Sequence, residues 1–131
     1  GLAHEKLSIM MIDVHRFKDI NDVYGHLTGD MVLEQVSRTL MNHVRSSDKV
    51  IRVGGDEFLV ILPCCSERVA QDKCRELKEW VSRICFSAHD RKYVEIDIGC
   101  ASTEDFDQTE ETLNRLIEKA DAAMYHDKKG T

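Results

Sequence analysis

Leu7-Ser8-Ile9-Met10-Met11-Ile12-Asp13-Val14 is an almost unbroken apolar run that closes on an acid. A run of that length without alternation predicts a strand covered on both faces. Thr28-Gly29-Asp30 then precedes Val32, Leu33, Val36, Leu40 and Val44, a single apolar helix face with a capping, acidic front. Lys49–Val53 and Glu57–Leu62 predict two strands joined through Gly54-Gly55-Asp56, and Pro63 ends the second. A second helix is predicted from Ser66 to Phe86, with Val69, Leu77, Val81 and Ile84 inward. Tyr93–Ile98 alternates and predicts a strand. A third helix is predicted from Thr109 to Asp127, with Leu113, Leu116, Ile117, Ala120 and Met124 on one face. A hairpin in the middle of a β–α–β–β–α–β–α order rules out an all-parallel sheet. The pattern predicts an α+β fold of the ferredoxin-like kind, with a mostly antiparallel sheet, a central hairpin and helices packed on the sheet.

Composition narrows the partners. The 131 residues suffice for one domain and its own core. Eighteen Lys and Arg against 24 Asp and Glu give a net charge of −6. That balance argues against a nucleic acid polymer held by its phosphates and against a polybasic membrane-surface binder. No apolar stretch approaches the length of a membrane helix, and Gly1-Leu2-Ala3-His4-Glu5-Lys6 carries no export pattern. Gly1 reads as an added residue. The five cysteines form no CxxC pair and predict reduced thiols, hence a cytoplasmic setting. Cys64-Cys65 reads as unreactive, Trp80 as a packing residue, Glu104-Asp105-Phe106-Asp107 as a solvated loop, and the six histidines show no metal spacing.

Three acids stand where strand ends converge: Asp13, Asp56 and Glu57. With the first strand beside the hairpin, Asp13 and Asp56 face each other across neighbouring strands. Carboxylates at that range repel unless a cation sits between them. Hard oxygen ligands suit Mg²⁺, which takes one or two carboxylates plus substrate phosphates. Gly54-Gly55 turns tightly and lets a ligand approach. The stretch from Phe17 to Asp30 is predicted as a loop bordering the same site, with backbone N–H groups able to hold a phosphate. Asn21 and Asp30 carry donors and acceptors that match a base edge, a carboxylate accepting from guanine N1–H and N2–H₂. The competing reading makes Asp22 and Asp30 turn and cap residues and His26 a structural histidine.

Taken together, Asp13-Val14-His15-Arg16-Phe17-Lys18-Asp19-Ile20-Asn21-Asp22, Gly25-His26-Leu27-Thr28-Gly29-Asp30 and Arg52-Val53-Gly54-Gly55-Asp56-Glu57-Phe58 resemble the GGDEF domain of diguanylate cyclases. Ala120–Lys128 resembles the family's last helix, so the likeness spans nearly all of residues 1–131 as one domain. The resemblance implies a nucleotidyl-cyclase palm-like fold and condensation of two GTP into cyclic di-GMP and two pyrophosphates across a homodimer. It implies Mg²⁺ or Mn²⁺ held by Asp13, Asp56 and the Val14 carbonyl. Asp56 would be the base for the 3′-hydroxyl, with Glu57 in support. Asn21 and Asp30 would read guanine. The backbone at Phe17 and Lys18, the Lys18 and Lys128 side chains, and the Gly54-Gly55 turn would hold the substrate.

Arg45-Ser46-Ser47-Asp48, just upstream of the turn, resembles the family's product-inhibition site, so Arg45 and Asp48 are expected to bind cyclic di-GMP. The alternative is a catalytically weak module that binds GTP or cyclic di-GMP as a sensor. His15 stands where the family usually has a second acid. The family's front helix and a trailing phosphate-site arginine are absent. The sequence therefore reads as a fragment of a larger protein whose regulatory sensor domain, and any membrane anchor, lie elsewhere.

Overall fold

The computed structural model describes residues 5–129; the start of the chain, with Gly1 and His4, and Gly130-Thr131 lie outside the described residues. Ten elements follow in order: β1 (Glu5–Val14), α1 (Phe17–Tyr24), α2 (His26–Asn42), β2 (Lys49–Arg52), β3 (Glu57–Pro63), α3 (Glu67–Val81), β4 (Cys85–Ser87), β5 (Lys92–Tyr93), β6 (Ile96–Phe106) and α4 (Glu110–Lys129). The main sheet runs β2-β3-β1-β6 with every pair antiparallel. The expected α+β, ferredoxin-like arrangement with a central hairpin is therefore observed.

The continuous apolar run of β1 is explained by its neighbours. Met10, Ile12 and Val14 enter a core shared with α1, α2 and α3. Leu7, Ile9 and Met11 enter a second core under α4. A strand that is covered on both faces has no polar face to show. Gly99 on β6 lets α4 lie close, since a Cβ there would come within 2.1 Å of the Met124 amide nitrogen. Among the described residues, no helix is long and apolar enough to cross a membrane.

Several boundaries differ from the sequence expectation. The stretch after Arg16 is a helix, α1, rather than a loop. Accordingly α2 begins at His26, and Thr28-Gly29-Asp30 lies inside it rather than capping it. Gly25 serves both helices: its N–H donates to the Asn21 carbonyl, and its own carbonyl accepts from Gly29. The second predicted helix stops at Val81, and Cys85–Ser87 turns back as a strand against Lys92–Tyr93. Its buried row is Ala70, Cys74, Leu77 and Val81, with Ile84 packed alongside, while Val69 is exposed. The predicted Tyr93–Ile98 strand is split at Val94-Glu95. β6 then continues through Glu104-Asp105-Phe106, expected as loop, because it pairs with β1 as far as Glu5↔Phe106. Backbone pairing along a long partner overrides the polar side chains there. Trp80 lies over His43, with ring centroids 4.2 Å apart, and carries the Arg83 guanidinium at 4.2 Å.

Candidate functional site

Asp13 continues the α4-facing row of β1 just where the hydrophobic layer ends. Its cross-strand partners are Glu57 on β3 and Asp97 on β6. One residue on, the Val14 N–H donates to the Asp56 carbonyl at 3.1 Å, which fixes the glycine turn against the end of β1. The Asp13 side chain is 8% exposed; its Oδ2 accepts from Lys128 Nζ at 2.8 Å. Its Oδ1 is buried with no partner. Burial first, and then the neighbouring Asp13 carboxylate, push the Asp56 carboxyl up to about 6.

These are two crowded acids with one unsatisfied oxygen, the condition that a cation relieves. Among the described residues, no three His, Cys, Asp or Glu side chains converge on one metal position. Two carboxylates nonetheless fit Mg²⁺, which completes its shell with water, a carbonyl and substrate oxygens.

The turn and the first two helices frame this pair. Arg52 donates from Nη2 to the Gly55 carbonyl at 2.6 Å and from Nε to the Gly54 carbonyl at 3.3 Å. Arg16, at φ 55°, brings the chain into α1, and no side chain caps the front of that helix, where Phe17 and the exposed Lys18 stand. Asn21 lies over Gly29: a Cβ there would meet Asn21 Oδ1 at 1.8 Å, so only glycine leaves room for the amide. Asp30 follows on α2, exposed, and lines a groove of about 550 Å³ together with Leu33, Glu34, Arg38 and Arg52. The structure thus brings Asp13, Val14, Asp56, Glu57 and Lys128 together at one end of the sheet.

Arg45 and Asp48 lie elsewhere, after α2. Asp48 is 2% exposed at its side chain; its Oδ2 accepts from the Arg45 N–H and its Oδ1 from Arg45 Nη2, each at 2.7 Å. Arg45 Nη2 also donates to the Pro63 carbonyl at 2.6 Å. The hydrogen bond and charge of Asp48 raise the Arg45 pKa. The pair borders a depression of about 350 Å³ with Lys6, Cys64 and Lys73. Glu5 accepts from the Cys64 thiol at 3.1 Å and pushes its pKa up, away from the reactive thiolate.

One pair escaped the sequence reading. His15 Nδ1 lies 3.0 Å from an oxygen of Asp97, which is 2% exposed beside Asp13. The signal available was His15 in place of an acid; its partner is 82 residues away. The grip of Arg52 on the turn carbonyls likewise has no signal in the sequence beyond its place two residues before Gly54.

The sequence matches the family model "Diguanylate cyclase, GGDEF domain" over residues 2–131. It is 38% identical over 129 residues to diguanylate cyclase A of Treponema denticola, covering 98% of this chain and 34% of that protein. The chain therefore spans about a third of that relative's length. Its fold is similar to the active GGEEF domain of a diguanylate cyclase from Vibrio cholerae, with a TM-score of 0.86 and 25% identity over 96% of this chain and 78% of that one. It is also similar to the GGDEF domain of DgcB from Caulobacter crescentus, solved in complex with c-di-GMP. There the TM-score is 0.82 and the identity 26%, over 95% of this chain and 73% of that one. Sequence, sheet order and the acid-bearing glycine turn agree, and the chain belongs to the GGDEF-domain family of diguanylate cyclases.

Proposed function

We propose that this domain condenses two GTP into cyclic di-GMP with release of two pyrophosphates, working as a homodimer in which each protomer holds one GTP. The observation that carries the reading is the Asp13–Asp56 pair, with Asp13 Oδ1 buried and unsatisfied beside the glycine turn. Asp13, Asp56 and the Val14 carbonyl would hold a divalent cation, Mg²⁺ or Mn²⁺. Bound there, it supplies charge neutralisation to the triphosphate and polarises the α-phosphate.

The chain's own groups do the rest. Asn21 and Asp30 read the guanine edge, the one held over Gly29 and the other lining the groove on α2. The backbone at Phe17 and Lys18, together with the Lys18 and Lys128 side chains, holds the triphosphate against the Gly54-Gly55 backbone. Asp56 takes the proton of the 3′-hydroxyl as it is released to attack. Glu57 supports the charge beside it. Each 3′-oxygen attacks the partner's α-phosphate, so two P–O bonds form and two break as the pyrophosphates leave. Arg45 and Asp48 take the product as an inhibitor; the DgcB domain solved with c-di-GMP supports product binding on this fold. A regulatory domain elsewhere in a longer parent chain would supply the input.

Binding of a non-reacting GTP analogue in Mg²⁺ tests the site. Wild type is expected to bind it and Asp13→Ala to lose roughly tenfold or more, a ratio of about 1.4 kcal/mol. Equal binding by both proteins contradicts the assignment.

A further inference from the structure

Lys128 enters the proposed function as a phosphate-holding side chain, yet its ammonium lies on a carboxylate. Nζ sits 2.8 Å from Asp13 Oδ2, one oxygen of the acid assigned to the metal. The hydrogen bond to Asp13 raises the ammonium's pKa; burial opposes it, and the charges of Asp13, Asp97 and Asp56 add smaller support. The stem is anchored beside it. Asp127 accepts from the Ile98 N–H at 2.9 Å and pairs with Lys78 at 2.6 Å, which ties the last turn of α4 to β6 and α3. The Lys128 side chain itself is 44% exposed and sits on a flexible four-carbon stem. It can leave Asp13 while its backbone stays in place.

A monovalent cation on Oδ2 thus stands beside the unsatisfied Oδ1, where a divalent one fits. We propose that Lys128 is a competing counter-ion: its ammonium on Asp13 Oδ2 opposes a divalent cation entering at the unsatisfied Oδ1, and the ammonium, drawn off Asp13, then serves the triphosphate. This inference rests on Asp13 and Asp56 being the metal ligands. Its consequence is coupling between two ligands. A cation entering alone meets the ammonium's like charge on the same carboxylate. A cation entering with GTP finds the ammonium drawn away by phosphate, so each ligand strengthens the other's binding reciprocally.

The test is Mn²⁺ binding to the nucleotide-free chain, read as free Mn²⁺ by electron paramagnetic resonance. Lys128→Met keeps the apolar stem and removes the charge. It is expected to bind Mn²⁺ about three- to tenfold more tightly than wild type, the range for losing one partly exposed competing charge. The same variant is expected to bind the GTP analogue more weakly, so the two affinities move in opposite directions. Lys128→Arg keeps the charge and is expected to restore wild-type Mn²⁺ affinity; thermal unfolding checks that all variants fold. Mn²⁺ affinity in Lys128→Met no greater than in wild type overturns the inference, and so does the absence of binding in both. Mn²⁺ binding that Asp13→Ala leaves unchanged overturns it as well. Failure of the functional reading looks different: wild type then binds no GTP analogue, whatever the Mn²⁺ result.

Discussion

Asp56 carries the main consequence of crowding acids at one strand end. Its carboxyl is held at about 6 against an ordinary 3.8, by burial first and then by Asp13. Between those pH values the folded chain keeps a proton that the unfolded chain releases. Stability from this group is therefore present below 3.8, declines as pH rises to about 6, and is flat above it. With chelator present, the thermal midpoint of wild type relative to Asp56→Asn is expected to fall across that window. A constant difference from pH 4 to pH 7 contradicts the Asp13–Asp56 coupling. At this scale the chemistry was partly legible. An acid closing an apolar run and another in a glycine turn are local signals, and Asp13 and Asp56 were found from them. Lys128–Asp13 and His15–Asp97 join residues 115 and 82 positions apart, and no local pattern encodes such a pair. Lys128 was placed by resemblance, on phosphate, and its contact with Asp13 needed the fold.

Among the elements, β1 and the β2–β3 hairpin were the clearest, because a two-sided apolar run and a double glycine leave few alternatives. α1 was missed because its eight residues bury only Ile20, too little to show a periodic face. In α3 the expected inward positions Leu77, Val81 and Ile84 are observed inward, and only Val69 departs, because the small residues Ala70 and Cys74 complete the row. The segment between α2 and β2 carries its own expectation. Both oxygens of Asp48 accept from Arg45, which holds the half-exposed guanidinium in place. Arg45→Ala is expected to lower cyclic di-GMP affinity in calorimetry by roughly tenfold or more, the weight of one charge-assisted contact. Unchanged affinity rules out product binding at this pair.

For the whole molecule, the order β2-β3-β1-β6 puts the acid-bearing end of β1 between the glycine turn of β3 and the start of β6. The hairpin in mid-sequence made this order readable. The cover of α4 on the second face was not read from its pattern, since an amphipathic helix does not say which side of a sheet it takes. Acidity also gains a meaning at this scale. A net charge of −6 repels polyanions, yet a triphosphate bridged by a divalent cation wants the carboxylates that Asp13 and Asp56 supply. Cyclisation across two sites fixes a product stoichiometry. With GTP and Mg²⁺ or Mn²⁺, the chain is expected to release one cyclic di-GMP and two pyrophosphates per two GTP, with a rate per protomer that rises with protein concentration. Asp56→Ala is expected to lose about a hundredfold or more of that rate. Undiminished product from Asp56→Ala, or none from wild type at any protein concentration, would contradict the account.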